Sequence, residues 1–131
     1  MTRRDFDPAT VSPDGRPATK ATLFDPAGDG PWRGSLPGAI LGGQNTVLAY
    51  GTDVVGAGPR LHVHPYDETF ILIEGRARFF VGDETLEAGA GEVVFGPAGV
   101  PHRFENLGPG RFQTIDIHHS PEWIQTDLDE G

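Results

Sequence analysis

Cysteine is absent from the 131 residues, which excludes disulfides, thiolate metal sites and cysteine nucleophiles. Any metal must be held by nitrogen and oxygen. Long apolar runs are also missing. Met1-Thr2-Arg3-Arg4 leads into a polar, proline-rich stretch, so neither a signal-peptide core nor a membrane span is expected, and a soluble, cytoplasmic protein is. Positive charge is scarce. Ten basic residues against 19 acidic ones leave a formal charge of −9, which repels phosphate backbones and anionic lipid surfaces. Neither nucleic acid nor membrane is expected as a partner. No helical run appears in the central part of the chain, and the length suits one domain rather than two.

What the chain does contain is turn chemistry. With 19 glycines, 12 prolines and a hydrophobic share of 37%, it reads as many short strands joined by turns. Asp7-Pro8, Ser12-Pro13-Asp14-Gly15 and the run from Asp25 to Pro31 mark residues 1–35 as an N-terminal arm. Within it, Ala21-Thr22-Leu23-Phe24 could form a short edge strand, and Trp32 is an apolar anchor for a barrel or for a partner subunit. Strand-like character begins at Thr46 to Tyr50 and Thr52 to Val55 and returns at Arg60 to His64. Thr69 to Ile73 is apolar on both faces, which predicts a strand buried on both sides. Arg76 to Val81 and Thr85 to Ala88 flank Gly82-Asp83-Glu84 as a hairpin. Further strands are expected at Glu92 to Phe95, around His102, and from Arg111 to His118. Residues 36–118 form the barrel. The tail, 119–131, carries Ser120-Pro121, which could cap a helical turn. Strands about ten residues apart point to an all-β sandwich or barrel.

The chemistry concentrates between Gly56 and Asn106. His62 and His64 stand two apart on an extended segment and so share a face. Glu68 follows after a short break, and these three groups could close on one metal ion. A second strand could bring His102 to the same ion, completing a shell of three nitrogens and one carboxylate oxygen. Three imidazoles and one carboxylate suit one divalent transition metal, Fe, Mn, Ni, Cu, Co or Zn. His118 and His119 are adjacent, so at most one faces inward. We take His118 with Asp116 as the inward, catalytic candidates; the competing reading is an exposed pair. Arg60 shares the parity of His62 and His64, which places either a cation in the cavity or a rim ion pair. Phe70, Leu72 and Phe104 share parity with ligands and would line the pocket. Tyr66 and Asp67 lie in the turn between ligands, as exposed loop or as contacts behind the metal.

The spacings resemble the two signature motifs of the cupin family. The first, G-x5-H-x-H-x3-E-x6-G, is met by Gly56, His62, His64, Glu68 and Gly75. The second, G-x5-P-x-G-x2-H-x3-N, is met by Gly91, Pro97, Gly99, His102 and Asn106. This resemblance implies a jelly-roll β-barrel with the ion bound inside. It casts the glycines and Pro97 as turn formers and Asn106 as a residue bonding to backbone. The stretch Gln113 to Pro121 is also similar to the end of many small single-domain cupins.

A four-ligand octahedral ion keeps two open positions, so the first expectation is a metalloenzyme acting on a small organic acid, phenol or diketone, dioxygenase-like in its chemistry. The alternatives are a noncatalytic metal-assisted binding or storage protein, and an isomerase, lyase or decarboxylase. A small-molecule ligand is expected in each case. Ile71 and Ile73, opposite Phe70, together with the arm bearing Trp32, suggest a homodimer, with exchange of the arm between subunits open.

Overall fold

The computed structural model of the chain describes residues 2–26 and 32–128. Among these, the strands run β1 (Arg33–Leu36), β2 (Thr46–Thr52), β3 (His62–Val63), β4 (Glu68–Glu74), β5 (Arg76–Val81), β6 (Glu84–Gly89), β7 (Val93–Gly96), β8 (His102–Asn106), β9 (Phe112–His118) and β10 (Thr126–Asp127). A single helical turn, α1 (Gly38–Leu41), and a 3-10 turn at Pro8–Thr10 complete the elements. The strands form two antiparallel five-stranded sheets, ordered β1-β2-β9-β4-β7 and β10-β3-β8-β5-β6. This is the jelly-roll barrel. No helix among the described residues is long and apolar enough to cross a membrane.

Period-two patterning builds the interior. Phe70 and Leu72 on β4, Phe79 and Val81 on β5, Phe104 on β8 and Phe112 on β9 meet in one buried cluster. Burying each such side chain stabilises the fold by about 1.5–3 kcal/mol. Register then stacks the first sheet's inner face into rungs. One rung holds Thr46, His118, Glu68 and Gly96, and the next holds Ser35, Leu48, Asp116, Phe70 and Val94. The third holds Arg33, Tyr50, Thr114 and Leu72. Chemistry therefore sits at one end of the interior and hydrocarbon at the other.

The turns follow the motif glycines. Gly56, Gly75, Gly91 and Gly99 all adopt positive φ, between +74° and +91°, a region open to glycine and costly for side chains with a Cβ. Asn106 bonds to backbone as expected: its amide donates to the carbonyls of Val54 and Gly110, and its Oδ1 accepts from the Gly108 amide.

Several sequence expectations need correcting. Ala21 to Phe24 forms no strand. The sheet edge is taken instead by β1, which begins at Arg33, inside the stretch assigned to the arm, and pairs with β2. The arm crosses β1 where the backbone of Leu23 approaches Gly34 closely enough to exclude any side chain there. Phe24 stacks on Trp32 with ring centroids 4.4 Å apart. Val54 and Val55 are exposed loop residues rather than strand. Strand β4 is buried on one face only, since Ile73 on the other is 43% exposed. Among its described residues the tail makes no helix after Ser120. The Ser120 hydroxyl does accept from the Glu122 amide, but downstream backbone groups are drawn to the barrel, with Thr126 opposite Val63 and the Leu128 amide donating to the Leu61 carbonyl. Turn residues 27–31 lie outside the described residues.

Candidate metal centre

Four ligand atoms converge at the chemical end of the barrel. His62, His64, Glu68 and His102 are all buried, and one donor atom from each lies within 4.8 Å of every other. Strand β3 supplies His62, and the turn after it supplies His64; β4 opens with Glu68 and β8 with His102. Register sets His62 directly across from His102. Gly96, across from Glu68, leaves room for the rings: a Cβ there would come within 3.3 Å of His102 Nδ1 and 3.4 Å of the Phe70 ring.

The imidazole tautomers are set from behind. His62 Nδ1 donates to the Arg60 carbonyl at 2.6 Å, and His64 Nδ1 donates to the Ile124 carbonyl at 2.7 Å. Each ring therefore turns an unprotonated Nε2 inward, the arrangement a metal-ligating histidine requires. Glu68 Oε1 sits 3.1 Å from His64 Nε2 and 3.2 Å from His102 Nε2. These are close approaches without hydrogen-bond geometry, since His64 Nε2, His102 Nε2 and Glu68 Oε1 are all buried without a partner. Unpaired buried polar atoms are costly. Lone pairs aimed at one point fit a shared cation, so the residues fit the metal that their chemistry implies.

The second oxygen of Glu68 is held separately. His118 Nε2 lies 3.1 Å from Glu68 Oε2, and His118 Nδ1 lies 2.7 Å from the Tyr66 hydroxyl. That hydroxyl also accepts from the Ile124 amide at 3.1 Å. The Ile124 N–H donates to Tyr66, the Tyr66 hydroxyl bonds to His118 Nδ1, and His118 Nε2 is left facing the carboxylate. Burial opposes ionisation of Glu68, but the imidazoles of His102, His118 and His64 outweigh it and hold the carboxyl well below its usual range. Burial lowers the affinity of His62 for a proton, and the bond to the Arg60 carbonyl offsets this only in part. Both shifts favour neutral His62 beside ionised Glu68, the protonation state that binds a metal.

Beside this cluster lies a cavity of about 450 Å³, lined by Tyr50, Phe70, Phe104, Asp116, Trp123 and Gln125 among others. Asp116 is buried, and its Oδ1 has no hydrogen-bond partner. Burial and the Glu68 charge push its pKa well above the ordinary carboxyl value, so the group holds a proton more tightly than an exposed carboxyl.

Of the residues expected to serve the site, the four ligands come together, Phe70 and Phe104 line the cavity, and Asp116 and His118 face it. Two pocket assignments are corrected. Arg60 is exposed and contributes its carbonyl, because its side chain leaves at the rim. Leu72 shares the face of Phe70 but sits one rung deeper, in the hydrophobic cluster. His118 has both nitrogens engaged, so it orients Glu68. His119 points outward, toward Thr69 and Asn45.

Sequence reasoning missed Arg33, Tyr50, Trp123 and Gln125 as cavity residues. Arg33 lies on a strand whose Gly34-Ser35 centre gave no strand signal. Trp123 and Gln125 reach the site only because the tail folds back over it.

A family model described as cupin domain matches residues 50–118. The chain belongs to the cupin family. Two curated relatives are similar over shorter stretches. The uncharacterized protein SCO3923 of Streptomyces coelicolor is 43% identical over 34% of this chain and 42% of its own length. The uncharacterized protein MJ1618 of Methanocaldococcus jannaschii is 31% identical over 53% of this chain and 56% of its own. The cupin thus aligns with roughly half of each relative. Among solved structures, oxalate decarboxylase from Bacillus subtilis matches with a TM-score of 0.68 at 22% identity, over 76% of this cupin and 28% of that chain. Another structure of that enzyme, whose study concerned its Mn(II) centres, matches with a TM-score of 0.70 at 21% identity, over 82% of this cupin and 30% of that chain. At such identities the likeness concerns the fold.

Proposed function

We propose that this cupin is a divalent-metal enzyme acting on a small organic acid, phenol or diketone that chelates through oxygen. The observation that carries the reading is the convergence of four ligand residues, three of them with a buried, unpaired ligand atom, beside a cavity with the buried carboxyl of Asp116 on its wall. A bound divalent ion would supply polarisation of a substrate oxygen or, if redox active, electrons for dioxygen chemistry. His62, His64, Glu68 and His102 hold it, while Tyr66 and His118 fix the carboxylate. Phe70 and Phe104 exclude water from the reacting end, and Trp123 and Gln125 cover it from the tail.

Two reaction classes are separated by what Asp116 does. In a dioxygenase-like reaction it hydrogen-bonds a substrate oxygen. In a decarboxylation the bond to the carboxylate breaks, carbon dioxide leaves, and Asp116 supplies the proton that replaces it on carbon. The buried carboxyl with an unpaired Oδ1 favours keeping the second reading beside the first.

The test begins with elemental analysis of protein purified without added metal. Oxygen uptake and carbon dioxide release are then followed for Fe(II)- and Mn(II)-loaded protein, with Zn(II)-loaded protein as control, over catechols, diketones and small acids including oxalate. Oxygen uptake supports the dioxygenase, and release without uptake the decarboxylase. Metal and ligand binding with no turnover across the panel would replace the enzyme by a binding protein.

The homodimer remains part of this proposal. On the outer face of the first sheet, Ile71 stands across from Val93 and Thr69 from Phe95, and Val93 and Phe95 are 60% and 52% exposed. Such a stripe is suited to a second copy. A solution mass of one 14.0 kDa chain would count against it.

A further inference from the structure

The cavity does not end at the metal cluster. It runs along the inner face of the first sheet to the third rung, where solvent-exposed Arg33 and half-buried Tyr50 line its far side. Successive rungs are two residues apart along each strand, so the arginine's rung is roughly 13 Å from that of Glu68 by strand geometry, less whatever length the side chain spans in reaching back. The guanidinium lies over the Tyr50 ring, 4.4 Å from its centroid. No carboxylate among the described residues forms an ion pair with it, and it is the one arginine or lysine among the cavity's lining residues. Leu48, Phe70 and Phe104 lie between the two ends.

We infer that the cavity accepts an elongated dianion, a small molecule with an oxygen-chelating head for the metal, an apolar middle, and a second carboxylate or comparable anionic group held by Arg33. This rests on the metal reading above and adds the far end of the substrate. Charge supports it. A divalent ion brings two positive charges and Arg33 one, against one negative charge on Glu68, so the loaded cavity stays net positive whether or not Asp116 is ionised. In a chain of formal charge −9, an anionic ligand would be repelled from most of the surface. A local excess of positive charge, with Arg33 solvent-exposed at the far mouth, draws it to this place. Arginine suits the task because its planar fork matches a carboxylate bidentately.

The test uses the full chain loaded with Zn(II), which is redox silent, and titrates pimelate and heptanoate, chains of equal length that differ in the second carboxylate, by calorimetry. The expected result is tighter binding of pimelate by about 10-fold or more, the range of a charge-assisted hydrogen-bonded pair. Arg33→Gln abolishes that preference while leaving heptanoate and Zn(II) affinity unchanged, and Arg33→Lys restores part of it. Equal binding of the two ligands by the wild type overturns the inference, as does a parallel loss of both in Arg33→Gln. Failure of the metal reading looks different: the wild type then takes up no stoichiometric Zn(II). In that event the dianion preference, read on metal-free protein, still tests Arg33.

Discussion

The two ends of the barrel interior are built by the same strands and obey opposite rules. On β4, Glu68 faces a cluster of imidazoles and Leu72, two rungs on, faces hydrocarbon. On β8, His102 and Phe104 divide in the same way. One end is close packed, with Phe79 and Phe112 fully buried. The other buries unpaired nitrogen and oxygen atoms, which cost stability until a cation satisfies them. The apolar end supplies stability and the polar end spends it on a preorganised site. Binding energy at the metal should therefore appear as folding energy.

Substitutions can separate the ends. The largest effect is expected from Phe79→Ala, which leaves a cavity at the apolar end and costs about 3–5 kcal/mol. Urea denaturation should show it in metal-free and metal-loaded protein alike. Next comes Glu68→Gln, which should abolish stoichiometric metal on elemental analysis and remove the gain in melting temperature on adding metal, while circular dichroism stays native. A variant that still gains stability from metal would dissolve the contrast between the ends.

A smaller loss, about 10- to 100-fold in metal affinity, is expected when the supports of the ligands are cut. Truncation after Ser120 removes the Ile124 carbonyl that sets the His64 tautomer and the amide that bonds Tyr66. Tyr66→Phe removes the bonds of its hydroxyl to His118 and the Ile124 amide but leaves the His64 bond to the Ile124 carbonyl, and should fall at the low end of that range. Competition with a chelating dye measures both.

The smallest effect is on the pH dependence of stability. His62 has its pKa lowered on folding, so the unfolded chain takes the proton first and metal-free protein loses stability as pH falls below about 6.5. Glu68, also lowered, adds a loss below about 4.5. Asp116 is raised and has the opposite sign: its contribution is full below about 3.9 and is lost as pH rises toward its folded value. Asp116→Asn should therefore gain on the wild type between pH 5 and pH 8 in urea midpoints. An equal difference at both pH values would show that Asp116 does not titrate on folding.

Much of this was legible before any fold was known. The alternation around His62 and His64, the glycines at the turns, and the spacings to Glu68 and His102 announce a barrel with a metal at one end, because backbone periodicity fixes which side chains share a face. Other residues gave no such signal. Arg33 sits on a strand centred on glycine and serine, which have little strand preference. Ser120-Pro121 read as a helix start, but the tail's backbone groups bond to Tyr66, His64 and Leu61 instead. Thr69 to Ile73 is apolar on both sides, and hydrophobicity alone could not tell an inner face from an outer one.

By itself, then, the sequence determined the strand-and-turn pattern, the nitrogen and oxygen ligand set, and the family, since these depend on local spacing and side-chain chemistry. Only the tertiary structure decided that His118, at the cavity wall, sits against Glu68, that the tail fixes a ligand's tautomer, and that Arg33 stands at the far wall. Those are contacts between residues dozens of positions apart, and their partners are chosen by strand register and chain return, which no local pattern encodes.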